Sequence, residues 1–369
     1  MNEKGRPVLL RGIGLGGWML QEPYMFKFAE AARTQTEFKA KITKLIGREN
    51  CEEFYETFLA NMITRKDVEA LKSWGFNSIR LPMHYDLFTP PSGKEPVPGK
   101  NTWLEPGFKL TDKLLSWCKD NHMYLILDLH AAPGGQGHER PIADVDPLKP
   151  LLWESPADLE KTIALWKKLA ERYAEEEWIG GYDLLNEPNY LMLGNLPLRN
   201  FFLEATREIR TVDKNHILFI EGNAYAQDFT GLTPPWDGNM AYSFHKYWSP
   251  NTLKSIQPYL DLRDKYAVPL WLGESGENTD VWFRDAVNLV EAHEIGWSWW
   301  TIKKLEGESS LMSVSTPAGY QALIDYWSGK GPKPSAESAR ATLMELAENV
   351  KFKHCRINYG AIEALLGKR

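Results

Sequence analysis

The sequence predicts a single (β/α)8 barrel. Three observations carry that expectation. Eight apolar runs of strand length are spread along the 369 residues. Helical patterns of period 3.6 fall between most of them. The polar residues that close these runs are Arg, His, Asn, Glu and Tyr, types that a barrel gathers around one cavity at the C-terminal rim of its strands.

In chain order, the first expected strand is residues 9–14, and an extra helical pair at 35–61 is inserted after it. The helix at 65–74 opens on Thr64, a helix-starting residue, and leads to the strand at 77–82. A helix at 107–121 precedes the strand at 124–130. Residues 131–154 then form a long loop rich in Gly and Pro. Ser155-Pro156 starts a helix at 156–175, followed by the strand at 181–187. A helix at 198–212 leads to the strand at 217–221, and no clear helix separates that strand from the next, at 240–245. A helix at 253–265, a strand at 269–274, a helix at 280–293 and a strand at 296–302 complete the set. Residues 305–317 read as another long loop. Long loops at strand C-termini shape active sites. Residues 335–350 read as a closing helix, with the tail to 369 packed on the barrel's exterior. The whole of 1–369 is expected to be one domain, with 35–61 as insertion and 335–369 as closing helices.

Composition narrows the function. Charged residues are 25% and hydrophobic residues 43%, ordinary for a globular enzyme. The net charge of −6 gives nucleic-acid binding no electrostatic support. No stretch of about 18 apolar residues offers a membrane span. Cys51, Cys118 and Cys355 include no C-x-x-C pair, so thioredoxin and zinc readings fail. They are expected as free thiols, with one disulfide as the alternative. The first residues lack the basic-then-apolar pattern of a leader. The expectation is a secreted or periplasmic protein whose leader has been removed, with a cytoplasmic protein as the alternative. Tryptophan is the outlier at 15 residues, a number that suits a sugar-binding cleft, where flat rings stack on pyranose faces.

Two runs end in glutamate. "GYDLLNEPN" delivers Glu187 and "PLWLGESGE" delivers Glu274 to strand tips. A pair of opposed carboxylates is the minimum equipment for cleaving a glycosidic bond. Around them stand Arg80 in "NSIRLP", His130 in "LILDLH", Asn186 beside Glu187, His245 and Tyr247 in "SFHKY", and Trp300 in "GWSWWTIK". The acid of such a pair needs a raised pKa and the nucleophile a lowered one. Arg80 is suited to hold the Glu274 carboxylate by charge-assisted hydrogen bonds, and Tyr247 to donate to it. Asn186 falls on the strand face opposite Glu187 unless the backbone is distorted, and such a distortion is expected. His130 and His245 are expected as neutral hydrogen-bonding groups, and Trp300 as the floor under the cleaved sugar. Alternation places Trp299 on the face opposite Trp300.

The motifs "RGIGLGGW", "GFNSIRLP", "LDLH", "NEP", "HKY", "GE" and "GWSWW" occur in one order between Arg11 and about Lys303. Together they resemble glycoside hydrolase family 5, one of the clan A retaining barrels. The resemblance implies Glu187 as acid/base and Glu274 as nucleophile, with Arg80, His130, Asn186, His245, Tyr247 and Trp300 on the surrounding positions. A β-linked glucan is the expected substrate, on the first loop's likeness to exo-glucanases of this family and the tryptophan-rich composition, and no cofactor or metal is expected. Endo-β-1,4-glucanase is the first expectation. Exo-β-glucosidase or β-1,3-glucanase is the alternative, and β-mannanase a further one. Glu22, in Glu22-Pro23-Tyr24, resembles a residue after the first strand in fungal exo-β-1,3-glucanases of this family, where a glutamate helps bind the terminal glucose; a solvated surface Glu is the competing reading. His84 and Tyr85 follow Arg80 closely and suit the same subsite. His138 is expected to be exposed. Trp18, Trp103, Trp153, Trp236 and Trp248 lie in or near loops, and the sequence does not choose a sugar platform among them.

Two other classes make predictions that the chain does not meet. A non-catalytic carbohydrate-binding barrel predicts loss of one glutamate, and both are present. A metal-dependent hydrolase predicts clustered His and Asp ligands at the strand tips, where the chain has Glu and Arg. The glycines of "GLGGW" lack the helix and acidic partner of a dinucleotide fingerprint.

Overall fold

The computed structural model describes residues 7–191 and 193–367. Its eight principal strands are β1 (Arg11–Gly14), β2 (Ser78–His84), β3 (Tyr124–Ala131), β4 (Ile179–Asp183), β5 (Leu218–Glu221), β6 (Met240–Tyr247), β7 (Leu270–Gly276) and β8 (Gly296–Trp300). Each pairs in parallel with the next, and β1 closes on β8, Arg11 opposite Trp297. The architecture is a (β/α)8 barrel. Its strands are buried nearly throughout because helices cover the outer face and side chains fill the inner one.

The helical insertion forms α1 (Gln35–Ile46) and α2 (Arg48–Met62). Next comes α3 (Arg65–Trp74). The Asp67 carboxylate accepts both the backbone N–H and the hydroxyl of Thr64, which fixes the start of α3. The same carboxylate pairs with buried Lys303, 2.6 Å away, just past β8. Lys303 also donates to the carbonyls of Met62 and Val350. One ammonium thus ties the ends of α2 and of the closing helix Ala336–Asn349 to the barrel. The last helix, Tyr359–Leu366, packs on Asp280–Glu291, outside the strands.

Several boundaries differ from the sequence expectation. β4 stops at Asp183, four residues short of Glu187. The 305–317 segment is not a plain loop: β9 (Lys303–Leu305), β10 (Met312–Val314) and β11 (Arg356–Ile357) form a small second sheet. Strands of two or three residues show no alternation in sequence, so they were invisible there. The 131–154 segment carries a short helix at Arg140–Ala143 and a 3-10 turn at Leu152–Glu154. Between β5 and β6 stands only the turn Asn223–Ala226, in which Ala224 and Tyr225 have left-handed backbones. Cys51, Cys118 and Cys355 are free thiols. Among the described residues no helix is long and apolar enough to cross a membrane.

Candidate active site

Parallel closure brings the ends of β2 to β8 to one mouth, and the candidate residues meet there. β6 and β7 pair with a register shift that sets His245 beside Glu274. Gly273 makes this possible, since a Cβ there would stand 2.3 Å from Ser243 Oγ and 3.1 Å from His245 Nε2. A carboxylate oxygen of Glu187, one of Glu274 and a ring nitrogen of His245 all lie within 4.8 Å of one another.

The expected distortion at Asn186 is present. Past Asp183 the chain leaves the strand path, and Glu187 adopts φ +43°, a conformation uncommon for a residue with a Cβ. The turn puts Asn186 and Glu187 on the same side of the barrel mouth. Asn186 Oδ1 accepts from Arg80 Nη2 at 2.9 Å, and its amide nitrogen lies 3.3 Å from His130 Nε2. Gln136, fully buried, donates to the carbonyls of both His130 and Asn186 at 2.7 Å.

Arg80 lies at the centre. Its guanidinium is completely buried and pairs with Glu274, Asp183 (2.9 Å), Glu221 (3.1 Å) and Asp128 (3.2 Å). Tyr247 donates to the second oxygen of Glu274 at 3.0 Å. Burial works to raise the Glu274 carboxyl, but the charges of Arg80, His245 and His130 outweigh it and hold it below its ordinary value. Burial raises Glu187 as well. There the bond and charge of His245 oppose the rise, Glu274 and Glu221 reinforce it, and the carboxyl stays above its ordinary value. The two glutamates are thus pushed apart: one is kept ionised and the other inclined to hold a proton.

The histidines depart from the neutral form expected of them. Burial alone would lower His130, but the charge and hydrogen bond of Asp128, 2.8 Å away, raise it to about 10. Burial likewise disfavours the His245 cation, yet Glu221 and Glu274, with the hydrogen bond to Glu187, hold its pKa well above the usual value. Each ring is enclosed by carboxylates from neighbouring strands, which favour its cationic form. Burial and the charge of Glu221 raise Asp183 well above its ordinary value, with Arg80 opposing the rise.

Trp300 closes the site from β8. Its ring stacks on His130 at 5.4 Å with 4° between planes, and its N–H donates to the Tyr24 hydroxyl at 2.7 Å. Gly16 gives the ring its space, since a Cβ there would approach it to 2.5 Å. The indole is only 4% exposed, so little of its face is open. Glu22 is buried rather than solvated, 3.8 Å from His130 Nε2. His84 is also buried, but it is engaged by Asp144 (2.9 Å) and Asp86 (2.8 Å) rather than by either glutamate of the pair. His138 is exposed. Of the five loop tryptophans, Trp18 is buried while Trp248 is 71% exposed, beside Tyr247 with ring centroids 5.4 Å apart. The Trp248 N–H is anchored on the Glu277 carbonyl at 3.1 Å.

The sequence reading missed Asp128, Asp183, Glu221 and Gln136. Signals for two of them existed. Asp128 lies two residues before His130, on the same strand face. Glu221 is a carboxylate at a strand tip, as Glu274 is. Nothing local marks Gln136, whose role rests on two distant carbonyls.

A family model described as cellulase (glycosyl hydrolase family 5) matches residues 36–306. A β-xylosidase of Phanerodontia chrysosporium is 28% identical over 361 residues, covering 88% of this chain and 73% of that protein. Endoglucanase C of Acetivibrio thermocellus is 24% identical over 359 residues, covering 80% of this chain and 92% of that one. Among solved structures, a Pseudomonas stutzeri endoglucanase in complex with cellobiose superposes with a TM-score of 0.60 at 18% identity. That match covers 93% of this chain and 94% of the other, and it is a likeness of fold.

Proposed function

Because the chain belongs to glycosyl hydrolase family 5, we propose that it hydrolyses β-linked glucan with net retention, Glu274 acting as nucleophile and Glu187 as acid/base. One observation carries this reading: two carboxylates, Glu274 buried and Glu187 partly buried, with oxygens within 4.8 Å, whose surroundings push their pKa values in opposite directions. Retaining pairs stand about 5–5.5 Å apart, whereas inverting pairs leave a wider gap for a water.

In the first step Glu274 attacks the anomeric carbon as the bond to the leaving oxygen breaks. Glu187 gives its proton to that oxygen. In the second step water attacks the same carbon, Glu187 takes the water's proton, and Glu274 is released. Arg80 and Tyr247 keep Glu274 ionised and aimed. Asn186, held by Arg80, is suited to the 2-hydroxyl of the cleaved sugar.

A specific set of contacts favours attack from a chain end over an open groove. Gln21 N–H bonds to Gln35 at the start of α1 (2.6 Å), Thr36 bonds to Asp144, and Asp144 bonds to His84. Arg140 pairs with Glu37 across the same seam. The first loop, the helical insertion and the third loop are thereby joined into a wall beside buried Glu22. The exposed face of Trp248, next to Tyr247, suits a sugar on the leaving side. A polymeric substrate that cannot enter a cell calls for a secreted or periplasmic enzyme.

The reading is tested with a slow fluorosugar substrate followed by peptide mapping, and with products from β-1,3, β-1,4 and mixed-linkage glucans. Labelling of Glu274 and release of small sugars at nearly constant viscosity are expected. Labelling of another carboxylate overturns the assignment. Rapid loss of viscosity at low reducing-sugar release favours the endo mode instead.

A further inference from the structure

We propose that Glu221, at the tip of β5, is a positioning residue for the acid/base: it holds the left-handed turn of Glu187 and the ring that faces it. The inference rests on the reading of Glu187 given above. Its basis is one carboxylate with three engagements. Glu221 Oε2 accepts the backbone N–H of Glu187 at 2.7 Å. Oε1 accepts from Arg80 Nη2 at 3.1 Å and lies 3.2 Å from His245 Nε2. The opposite nitrogen of the same ring, Nδ1, is hydrogen-bonded to Glu187 Oε1 at 2.7 Å. Glu221 therefore reaches Glu187 twice, through its amide and through His245.

Each link has a physical purpose. A residue with a Cβ at φ +43° is strained and persists only where the surroundings hold it. The charge-assisted bond from the Glu187 amide to the Glu221 carboxylate is such a hold, and the Glu221 side chain is itself completely buried. His245 is equally confined, because its ring lies between two carboxylates, hydrogen-bonded to Glu187 and within ion-pair distance of Glu221. The charged and titratable groups packed around Glu221 are Arg80 from β2, Asp128 from β3, Asp183 from β4, Glu187 past β4, His245 from β6 and Glu274 from β7. Arg80 orients the nucleophile from one side of this set. Glu221 orients the acid/base from the other.

A positioning role for the acid has a signature that general loss of structure lacks. Only substrates with poor leaving groups need the proton from Glu187. The experiment compares kcat/KM for a glucan oligosaccharide and for a dinitrophenyl glycoside, in wild type, Glu221→Gln and Glu221→Ala. Glu221→Gln keeps an acceptor for the Glu187 amide but loses the charge facing His245 and Arg80. On the oligosaccharide, Glu221→Ala is expected to lose on the order of 100-fold, the low end of what general acid catalysis contributes. Glu221→Gln is expected to lose less. On the dinitrophenyl glycoside both variants should stay within a few-fold of wild type and still be labelled at Glu274 by the fluorosugar. Equal losses on both substrates, or no loss on either, overturn the proposal. If Glu221→Ala does not fold, the ratio in Glu221→Gln decides by the same criterion. A wild-type protein inactive on both substrates would instead sink the functional reading itself.

Discussion

Tyr247 donates its hydroxyl to Glu274 at 3.0 Å, on the carboxylate oxygen that Arg80 leaves free. A hydrogen bond to a buried charge contributes about 1.5–3 kcal/mol. Tyr247→Phe should therefore fold normally and lose roughly 10- to 100-fold in kcat/KM. Steady-state kinetics on any accepted glycoside checks this. An unchanged kcat/KM would remove Tyr247 from the support of the nucleophile.

The proposed acid/base role of Glu187 requires that its removal act selectively. Glu187→Ala is expected to lose far more on glucan than on an activated aryl glycoside. Azide should restore turnover of the activated substrate, because a small anion fits the vacated space and needs no base. Chromatography should then find a β-glycosyl azide. No rescue, with equal loss on both substrates, would count against the assignment.

The pH profile follows from the two shifts. The proposed roles need Glu274 ionised and Glu187 protonated. Glu274 lies below its ordinary value, so the acid limb should fall below the usual carboxylate range. Glu187 lies above its ordinary value, so the basic limb should fall above that range. The two apparent pKa values belong to the coupled pair. A kcat/KM profile with a single limb would contradict the paired roles.

Stability should also depend on pH. His84 and His130 are raised to about 10 in the folded protein by their carboxylate partners, against about 6.5 unfolded. A raised folded pKa contributes stability that is complete below the unfolded value and lost as pH climbs through the folded one. Burial works against the His245 cation, but the charges of Glu221 and Glu274 raise this ring too. The free energy of unfolding, measured by urea titration, should thus decline from about pH 6.5 toward pH 10. Equal stability at pH 7 and pH 9.5 would show that these rings are not charged in the folded state.

Lys303 should matter for stability and not for chemistry. Its ammonium is buried with Asp67 and two carbonyls at the junction of α2, α3 and the closing helix. Breaking a buried pair leaves an uncompensated charge and costs about 3–5 kcal/mol. Lys303→Met should lower the urea midpoint accordingly while KM stays the same. A loss below about 1 kcal/mol would mean the junction is held by packing alone.

Glu22 separates the two modes of attack. In a chain-end enzyme, Glu22→Ala should cost about 1–3 kcal/mol of transition-state binding, the penalty for a lost charged hydrogen bond. In an open-groove enzyme it should leave the size distribution of products unchanged. Product analysis of the variant on a soluble β-glucan decides.

The sequence by itself determined the barrel and the identity of its rim. Eight strands alternating with helices were legible because periodicity and apolar runs are local signals. Thr64 and Ser155 marked helix starts because capping acts within three residues. Glu187, Glu274, Arg80 and Tyr247 were legible because a polar residue closing an apolar run stands out. Tertiary structure alone decided the rest. The two- and three-residue strands of the small sheet acquire meaning only when Met312 meets Lys303 on one side and Ile357 on the other. Trp248 became the exposed tryptophan beside Tyr247 once loop packing had buried Trp18. The upward shifts of His130 and His245 were not legible, because ionisation follows burial and neighbouring charges, and most of those neighbours arrive from other strands. Glu221 went unnoticed for the same reason: its partners are an amide 34 residues away and two side chains, Arg80 and His245, that meet it only when the barrel closes.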